Sequence, residues 1–430
     1  MKILIKNAIL VSMDENKDKI QNNIDILINN NKIEKIGKNI NENNIEKIID
    51  ATNKVVMPGL INTHAHVPMS IFRETLDGYN LQDWLNKKIW PMEAKLTNDD
   101  IYKASLLTFI EMIKTGCTCI NDMYFMTDFS IKAQKETGVR LQTTRCLMGS
   151  GENNEDLEKI KELDRLIEDY KNEELISFNV GVHGLYTTDR KYIKACSKFA
   201  KEKGLPVSIH FCENSGEVED IKRIYNQDPI DVLKDEFDGS NLILAHAVKL
   251  NNEDIEKLAK FNSNVSIATC PVSNLKLGCG IAKISKMYKE GINISIGTDG
   301  QGSGSNLDLF ESMKYVALLQ KGITENPEEM PAYEVLKMAT INGAKALELD
   351  DKIGSIVEGK LADIIIINMD SIVAKPTNDI ISELVYNIKG TDVETTIVNG
   401  KILMENRKLN KIDENQVCKD AEMVINRIRK

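Results

Sequence analysis

Histidine, arginine and tryptophan are scarce in this chain of 430 residues, which has 5 histidines, 9 arginines and 2 tryptophans. Residue types used this rarely can be followed position by position. Acidic residues outnumber basic ones by 65 to 55, so the formal net charge is −10. This balance excludes a global attraction for nucleic acid or for an anionic membrane surface. We therefore expect no nucleic-acid partner and no membrane partner.

Long apolar runs and closely paired cysteines are also missing. No stretch reaches the roughly 18 apolar residues that a membrane-spanning helix needs. The first residues, MKILIKNAILVS, do not match a signal peptide, because Lys6 interrupts the apolar run. The 8 cysteines include no C-x-x-C pair, which favours reduced thiols over a disulfide framework. Together these features predict a cytoplasmic protein.

The order of predicted elements indicates an α/β protein with one barrel and one attached domain. Between residues 58 and 358, apolar strands alternate with amphipathic helices, as in PVSIHFCE followed by EVEDIKRIYN. Eight such strands predict a (β/α)8 TIM-type barrel that carries the catalytic metal site. Residues 1–57 and 359–430 instead contain short β segments with Asn, Asp and Gly turns. Neither end has a core of its own, so we expect both to form one composite β-sandwich domain.

All five histidines follow or end predicted strands, at the face of a parallel barrel where active sites assemble. His64 and His66 lie two residues apart on an extended segment, so both side chains point to the same side. Such imidazoles suit a divalent metal, and a carboxylate is a common further ligand. The predicted metal ligands are His64, His66, His210 and Asp299. Zn²⁺ is favoured, with Fe²⁺ or Mn²⁺ as alternatives.

The number of metal ions follows from the fourth predicted strand. Its end, FNVGVHGLY, contains no lysine that would act as a carboxylated bridging ligand. One metal ion per chain is therefore predicted rather than two.

Several segments together resemble the amidohydrolase superfamily. They are PGLINTHAHVPMSIFRE, the H-x-x-E of HFCE, AHAV, CPVSNLKLG and GTDG. Within that superfamily the chain is most similar to the 5′-methylthioadenosine/S-adenosylhomocysteine deaminases, with chlorohydrolases and guanine deaminase as relatives. The resemblance extends over nearly the whole chain, from NAILVSMD to GSIVEGKLADIIIIN.

The resemblance implies a metal-dependent attack of water on C6 of an adenine ring, with release of ammonia. Asp299 would take the proton from that water. Glu213, three residues after His210, would give a proton to ring N1 and take one back. His246 would orient the attacking oxygen. The catalytic residues implied are therefore Glu213, His246 and Asp299.

On the substrate side, the resemblance implies that Glu93 binds the ribose hydroxyls. Arg145 matches an arginine near the 5′ tail, and His183 matches a substrate-binding histidine, while Glu213 and Asp299 would also contact the base. The segment after Arg145 departs from the family, because GSGENNEDLEKI lacks a second arginine that family members often have. Methylthioadenosine, 5′-deoxyadenosine and adenosine are therefore better matches than S-adenosylhomocysteine. Trp84 and Trp90 precede Glu93 and suit either an aromatic pocket wall or the packing of a lid.

Alternative functions remain open from the sequence. The chain resembles amidohydrolases that act on a free base or a triazine, and a non-catalytic assembly protein with the same fold is a further alternative. The Gly-rich GTDGQGSGSNLDLF is typical of dinucleotide folds only in part, because its spacing is G-x-G-x-G and it ends the series of strands. Family members often form homo-oligomers, but no sequence pattern here identifies an interface.

Overall fold

A computed structural model describes residues 1–75 and 77–429 of the chain. A closed ring of parallel strands forms its centre, and the strands pair in sequence order. The eight strands are Leu60–Ala65, Cys117–Tyr124, Arg140–Arg145, Ile176–Phe178 continued by Val180–Gly184, Val207–Phe211, Leu242–His246, Val265–Thr269 and Asn293–Ile296.

Hydrogen bonds between the last and first strands close the ring. The main-chain N–H groups of Thr298 and Asp299 donate to the carbonyl of His64, at 3.1 and 3.0 Å. The fourth strand is interrupted at the buried Asn179, whose amide group donates to Asn121. The ring therefore has the eight strands that the sequence predicts, and the predicted α/β barrel is confirmed.

Several strands, such as Val207–Phe211 and Leu242–His246, form because their residues are mostly apolar. Every residue of Val207–Phe211 and of Leu242–His246 is buried, as expected for parallel strands that side chains and helices cover on both faces. Polar residues in these strands therefore occur where a side chain has a specific partner or a site to line.

Helices surround the ring, and their ends follow local sequence signals. Asn98–Thr115 begins at a capping box in which Thr97 and Asp100 exchange hydrogen bonds, and it ends at Gly116 with φ 79°. The other long barrel helices are Thr127–Thr137, Asn154–Tyr170, Arg190–Lys203, Ser215–Tyr225, Pro229–Phe237 and Leu309–Thr324. Shorter ones are Asn252–Leu258, Pro271–Lys276, Ile284–Lys289, Gln301–Gly304, Ala332–Met338 and Ile341–Ala346.

Both chain ends build a second, mostly antiparallel sheet. Ile364 pairs with Pro58 and Asn368 with Lys54, which joins the C-terminal strands to the N-terminal ones. The strands of this sheet are Lys2–Leu10, Gln21–Asn29, Lys32–Gly37, Lys47–Asp50, Lys54–Pro58, Ile364–Asn368, Val393–Val398, Lys401–Glu405 and Lys408–Leu409. The predicted β domain made of both ends is therefore confirmed, while its exact limits at 57 and 359 stay a prediction.

Two C-terminal helices add a feature that the sequence did not predict. Ile380–Tyr386 and Glu414–Ile428 both follow strands of the second sheet. The last helix lies against the barrel helix Asn98–Thr115, where Lys114 pairs with Glu414 at 2.7 Å. The chain end therefore contacts the barrel as well as the second sheet.

Two further predictions concern the whole chain. In residues 1–75 and 77–429, no helix is long and apolar enough to cross a membrane. All eight cysteines are free thiols, and only Cys418 is exposed. The predicted reduced state of the cysteines agrees with this arrangement.

Candidate active site

The first barrel strand places two histidines at the carboxyl end of the ring. His64 is completely buried, and neither of its ring nitrogens has a hydrogen-bond partner among the described residues. Burial lowers the pKa of His64 well below its usual value, so the ring is neutral. A buried imidazole with two unsatisfied nitrogens is costly unless another group binds it.

His66 and His210 face each other across the ring. The Nδ1 atom of His66 donates to the carbonyl of Met123 at 2.7 Å, and that of His210 donates to the carbonyl of His183 at 2.5 Å. These bonds leave both Nε2 atoms directed at each other, 3.2 Å apart. Carbonyl groups hold metal-binding histidines in this way in many proteins, because they select the tautomer with a free Nε2.

Asp299 completes this group of donors from the last strand. Its Oδ1 atom lies 3.2 Å from His66 Nε2 and 3.8 Å from His64 Nε2. Its Oδ2 atom accepts hydrogen bonds of 2.6 Å from Ser273 and from Ser303. Burial by itself would raise the pKa of Asp299, but the hydrogen bond from His66 and its charge lower that pKa well below the usual range.

The His66 side of this pair shows the opposite shift. Burial by itself would lower the pKa of His66, but the hydrogen bond to Asp299 and its charge outweigh burial and raise the pKa to about 9. In the absence of another cation, the two side chains therefore form an ion pair. The pair shows that this position favours positive charge.

Glu213 and His246 lie beside Asp299. Glu213 Oε2 is 3.9 Å from His246 Nε2, and one donor atom from each of Glu213, His246 and Asp299 lies within 4.8 Å of the others. The Nδ1 atom of His246 donates to Asn274 at 2.9 Å. Burial raises the pKa of Glu213 above its usual value.

Strained backbone concentrates at these strand ends. His246 has φ 73°, Asp299 has φ 63° and Cys212, next to Glu213, has φ 50°, although none is a glycine. Such conformations cost roughly 1–3 kcal/mol each and persist where the surrounding structure enforces them. Glu217 helps to enforce one of them, because its carboxylate accepts the N–H groups of Cys212 and Glu213 at 2.8 and 2.7 Å.

A pocket of about 610 Å³, including its open mouth, leads to these side chains. Its wall contains most of the sequence-predicted residues, namely His66, Glu93, His183, His210, Glu213, His246 and Asp299. Both tryptophans, Trp84 and Trp90, also line it. His64 does not line the pocket, and its ring contacts those of His66 and His210 edge to face.

Glu93 and His183 are held by neighbours that the sequence did not reveal as functional. The Tyr124 hydroxyl donates to Glu93, and Thr187 lies 3.0 Å from His183 Nδ1. Burial raises the pKa of Glu93 and lowers that of His183 to about 4, so His183 is neutral. Tyr124 is the last residue of the second strand. Its position at a strand end of a parallel barrel is the only sequence signal that would have identified it as a site residue.

Arg145, like His64, is a predicted site residue that does not line the pocket in the described residues. Its Nε atom donates to Glu162 at 3.0 Å, and its Nη1 atom donates to the carbonyl of Cys146 at 2.9 Å. Its guanidinium lies 5.1 Å from the centre of the Phe125 ring, and Phe125 does line the pocket. The guanidinium therefore contacts a residue of the pocket wall without lining the cavity itself.

The donor set fits a divalent metal ion. His64, His66 and Asp299 form one group of donors within 4.8 Å, and His64, His210 and His246 form an overlapping group. One nitrogen of His64 and the opposed Nε2 atoms of His66 and His210 are groups that one cation would satisfy. His64, His66 and Asp299 are therefore close enough to share an ion, and His210 Nε2 lies 3.2 Å from His66 Nε2.

Known proteins match the chain over nearly its full length. The family model described as "Amidohydrolase family" matches residues 55–403. A 5-methylthioadenosine/S-adenosylhomocysteine deaminase of Caldanaerobacter subterraneus subsp. tengcongensis is 40% identical over 426 residues, 98% of this chain and 97% of that protein. A 5′-deoxyadenosine deaminase of Methanosarcina barkeri is 40% identical over 423 residues, 98% of this chain and 96% of that protein.

Solved structures agree with this similarity. The crystal structure of an adenosine deaminase from Xanthomonas campestris with bound zinc superimposes with a TM-score of 0.93. The match covers 99% of this chain and 98% of that one, at 27% identity. The same arrangement of barrel and second sheet therefore occurs in a zinc-containing relative.

Proposed function

Because the chain belongs to the amidohydrolase family, we propose that it is a hydrolytic deaminase of adenosine-type nucleosides. It replaces the 6-amino group of the purine with oxygen and releases ammonia. The observation that carries the proposal is the grouping of Glu213, His246 and Asp299 in the wall of a pocket that Glu93 also lines. The names of the full-length relatives support the same activity.

One zinc ion per chain is the proposed cofactor, held by His64, His66, His210 and Asp299. Imidazole nitrogen and carboxylate oxygen are ordinary zinc ligands, and the zinc in the Xanthomonas relative supports this choice over iron or manganese. When bound, such an ion would supply Lewis-acid activation, which lowers the pKa of water towards neutrality.

Three side chains would move the protons. Asp299 lies next to the ligand nitrogens, accepts the proton of the attacking water and passes it to the departing ammonia. Glu213, whose pKa burial raises, donates a proton to N1 of the purine and later accepts one as the amino group leaves. Positioned acid–base groups of this kind contribute about 10²–10⁴-fold to rate. His246, anchored on Asn274, orients the attacking oxygen through Nε2.

Two further side chains would bind the nucleoside. Glu93 accepts hydrogen bonds from the two ribose hydroxyls, because a carboxylate has acceptor sites for both. His183 is neutral and contacts the purine from the fourth strand. Arg145 would reach a 5′ tail only after leaving Glu162.

Ammonia release from a substrate panel tests the proposal. Adenosine, 5′-deoxyadenosine and 5′-methylthioadenosine should react, whereas adenine, guanine and a chlorinated triazine should not. Reaction of the free bases or the triazine without reaction of the nucleosides would contradict both the activity and the role of Glu93. A protein with no bound metal after zinc reconstitution would contradict an enzymatic role altogether.

A further inference from the structure

The charged side chains in the wall of the pocket are mainly acidic. Among the described residues, no lysine or arginine lines it, whereas the carboxylates of Glu93, Glu213 and Asp299 do. The segment that leads to Glu93 contributes only apolar side chains to the wall: Leu81, Trp84, Leu85, Ile89 and Trp90. A ligand carboxylate in this pocket would lose its water without gaining a cationic partner.

Arg145 lies near enough to be such a partner, but its hydrogen bonds are directed away. Its Nε atom donates to Glu162 and its Nη1 atom to Cys146 O, while its guanidinium lies against the Phe125 ring. The Arg145 side chain is 15% exposed and that of Glu162 is 36% exposed. Burial of the Arg145 side chain therefore shelters the ion pair from solvent, which helps to hold the guanidinium in place.

The next cation along the chain is engaged as well. Residues 146–158 contain no lysine or arginine, and Lys159 follows them. Its ammonium group donates to Asp156 at 2.6 Å and to the carbonyl of Met148 at 3.0 Å. Both of these cations are thus already engaged in ion pairs.

We infer that the site selects nucleosides whose 5′ substituent carries no carboxylate, and that the Arg145–Glu162 ion pair is a determinant of this selectivity. The inference rests on the proposed deaminase function and narrows its substrate class. A 5′ hydrogen or methylthio group fits the apolar wall. An amine tail is tolerated because the wall is acidic, whereas an amino-acid tail places its carboxylate without a partner.

Three substrates separate charge from size in the wild-type enzyme. They are 5′-methylthioadenosine, S-adenosylhomocysteine and the amine that remains when the latter loses its carboxyl group. The kcat/KM for S-adenosylhomocysteine should be about 10- to 100-fold below that of the other two, because an unpaired charged group is costly to bury. Equal values for all three would overturn the inference, and so would an amine as poor as S-adenosylhomocysteine, because size would then be the cause.

A pair of variants tests the ion pair itself. Glu162→Gln should release Arg145 and raise kcat/KM for S-adenosylhomocysteine about tenfold, with 5′-methylthioadenosine unchanged. Glu158→Gln, one turn earlier on the same helix, removes only an exposed pair with Lys161 and should change neither value. An unchanged substrate ratio in Glu162→Gln would overturn the role of the pair.

The wild-type measurement does not depend on the folding of any variant. If none of the three nucleosides released ammonia, the proposed function would fail and this inference with it. If all three reacted equally, only the inference about the 5′ substituent would fail.

Discussion

Replacing Tyr124 by phenylalanine removes one hydroxyl that donates to Glu93 and leaves the ring in place. Tyr124 is 4% exposed, and burial together with the Glu93 charge raises its pKa well above the usual value. The hydroxyl therefore stays a donor throughout the working pH range. Without it, the carboxylate loses the only described bond that orients it towards the proposed ribose site.

The size of the effect follows from the strength of that bond. A hydrogen bond to a charged group contributes about 1.5–3 kcal/mol when buried, and the partial exposure of Glu93 reduces this to about 1–2 kcal/mol. We therefore expect kcat/KM for adenosine to fall roughly 5- to 30-fold in Tyr124→Phe. Most of the loss should appear in KM, since the hydroxyl does not contact the reacting atoms.

A substrate without ribose hydroxyls makes the test specific. With 2′,3′-dideoxyadenosine, Tyr124→Phe and the wild type should have similar kcat/KM, because Glu93 then has nothing to bind. Tyr102→Phe is the control, since it also removes a bond from tyrosine to a carboxylate, Glu136, but at an exposed position. An equal loss on both substrates, or a matching loss of thermal stability, would refute the positioning of Glu93 by Tyr124.

Three other perturbations address the metal and the acid–base group. Glu213→Gln should keep its metal content while kcat falls about 10²–10⁴-fold; unchanged turnover or a parallel loss of metal would contradict the proton-transfer role. Removing metal with a chelator should abolish ammonia release and zinc should restore it, as elemental analysis and activity can establish together; full activity in metal-free protein would refute the metal site. Gly297→Ala should lower metal content, because a Cβ atom there would lie 2.8 Å from His64 Cβ. Gly322→Ala is the control and should not change metal content, because no heavy atom lies within 4 Å of the added Cβ. Equal metal content in both variants would show that His64 tolerates the displacement.

The barrel was predictable because its signals are local. Apolar strands followed by amphipathic helices repeat along residues 58–358, and only a few folds accommodate that repetition. The helix Glu414–Ile428 was not predicted, because its apolar face matters only when the barrel helix Asn98–Thr115 is present to cover it. Its pairing partner lies 300 residues away in the sequence.

The sequence likewise predicted the main residues of the proposed site and not the groups that support them. Rare histidines at strand ends meet in any parallel barrel, so His64, His66, His210 and His246 came together as expected. Their supporting groups carry no such signal. Tyr124 and Glu217 are ordinary residue types at ordinary positions, and only the folded ring brings them against Glu93 and Glu213.

The sequence alone therefore determined the fold class, the family and the identity of the candidate metal-binding and proton-transferring residues. These depend on residue type and on position within a strand, and strand order in a parallel barrel follows chain order. The tertiary structure alone decided where Arg145 points. Its direction depends on Glu162 and Phe125, which occupy a helix and a loop that meet the strand only after folding. Whether a charged side chain is free to bind a ligand depends on which groups it contacts in the folded protein. The spacing of residues along the chain does not show this.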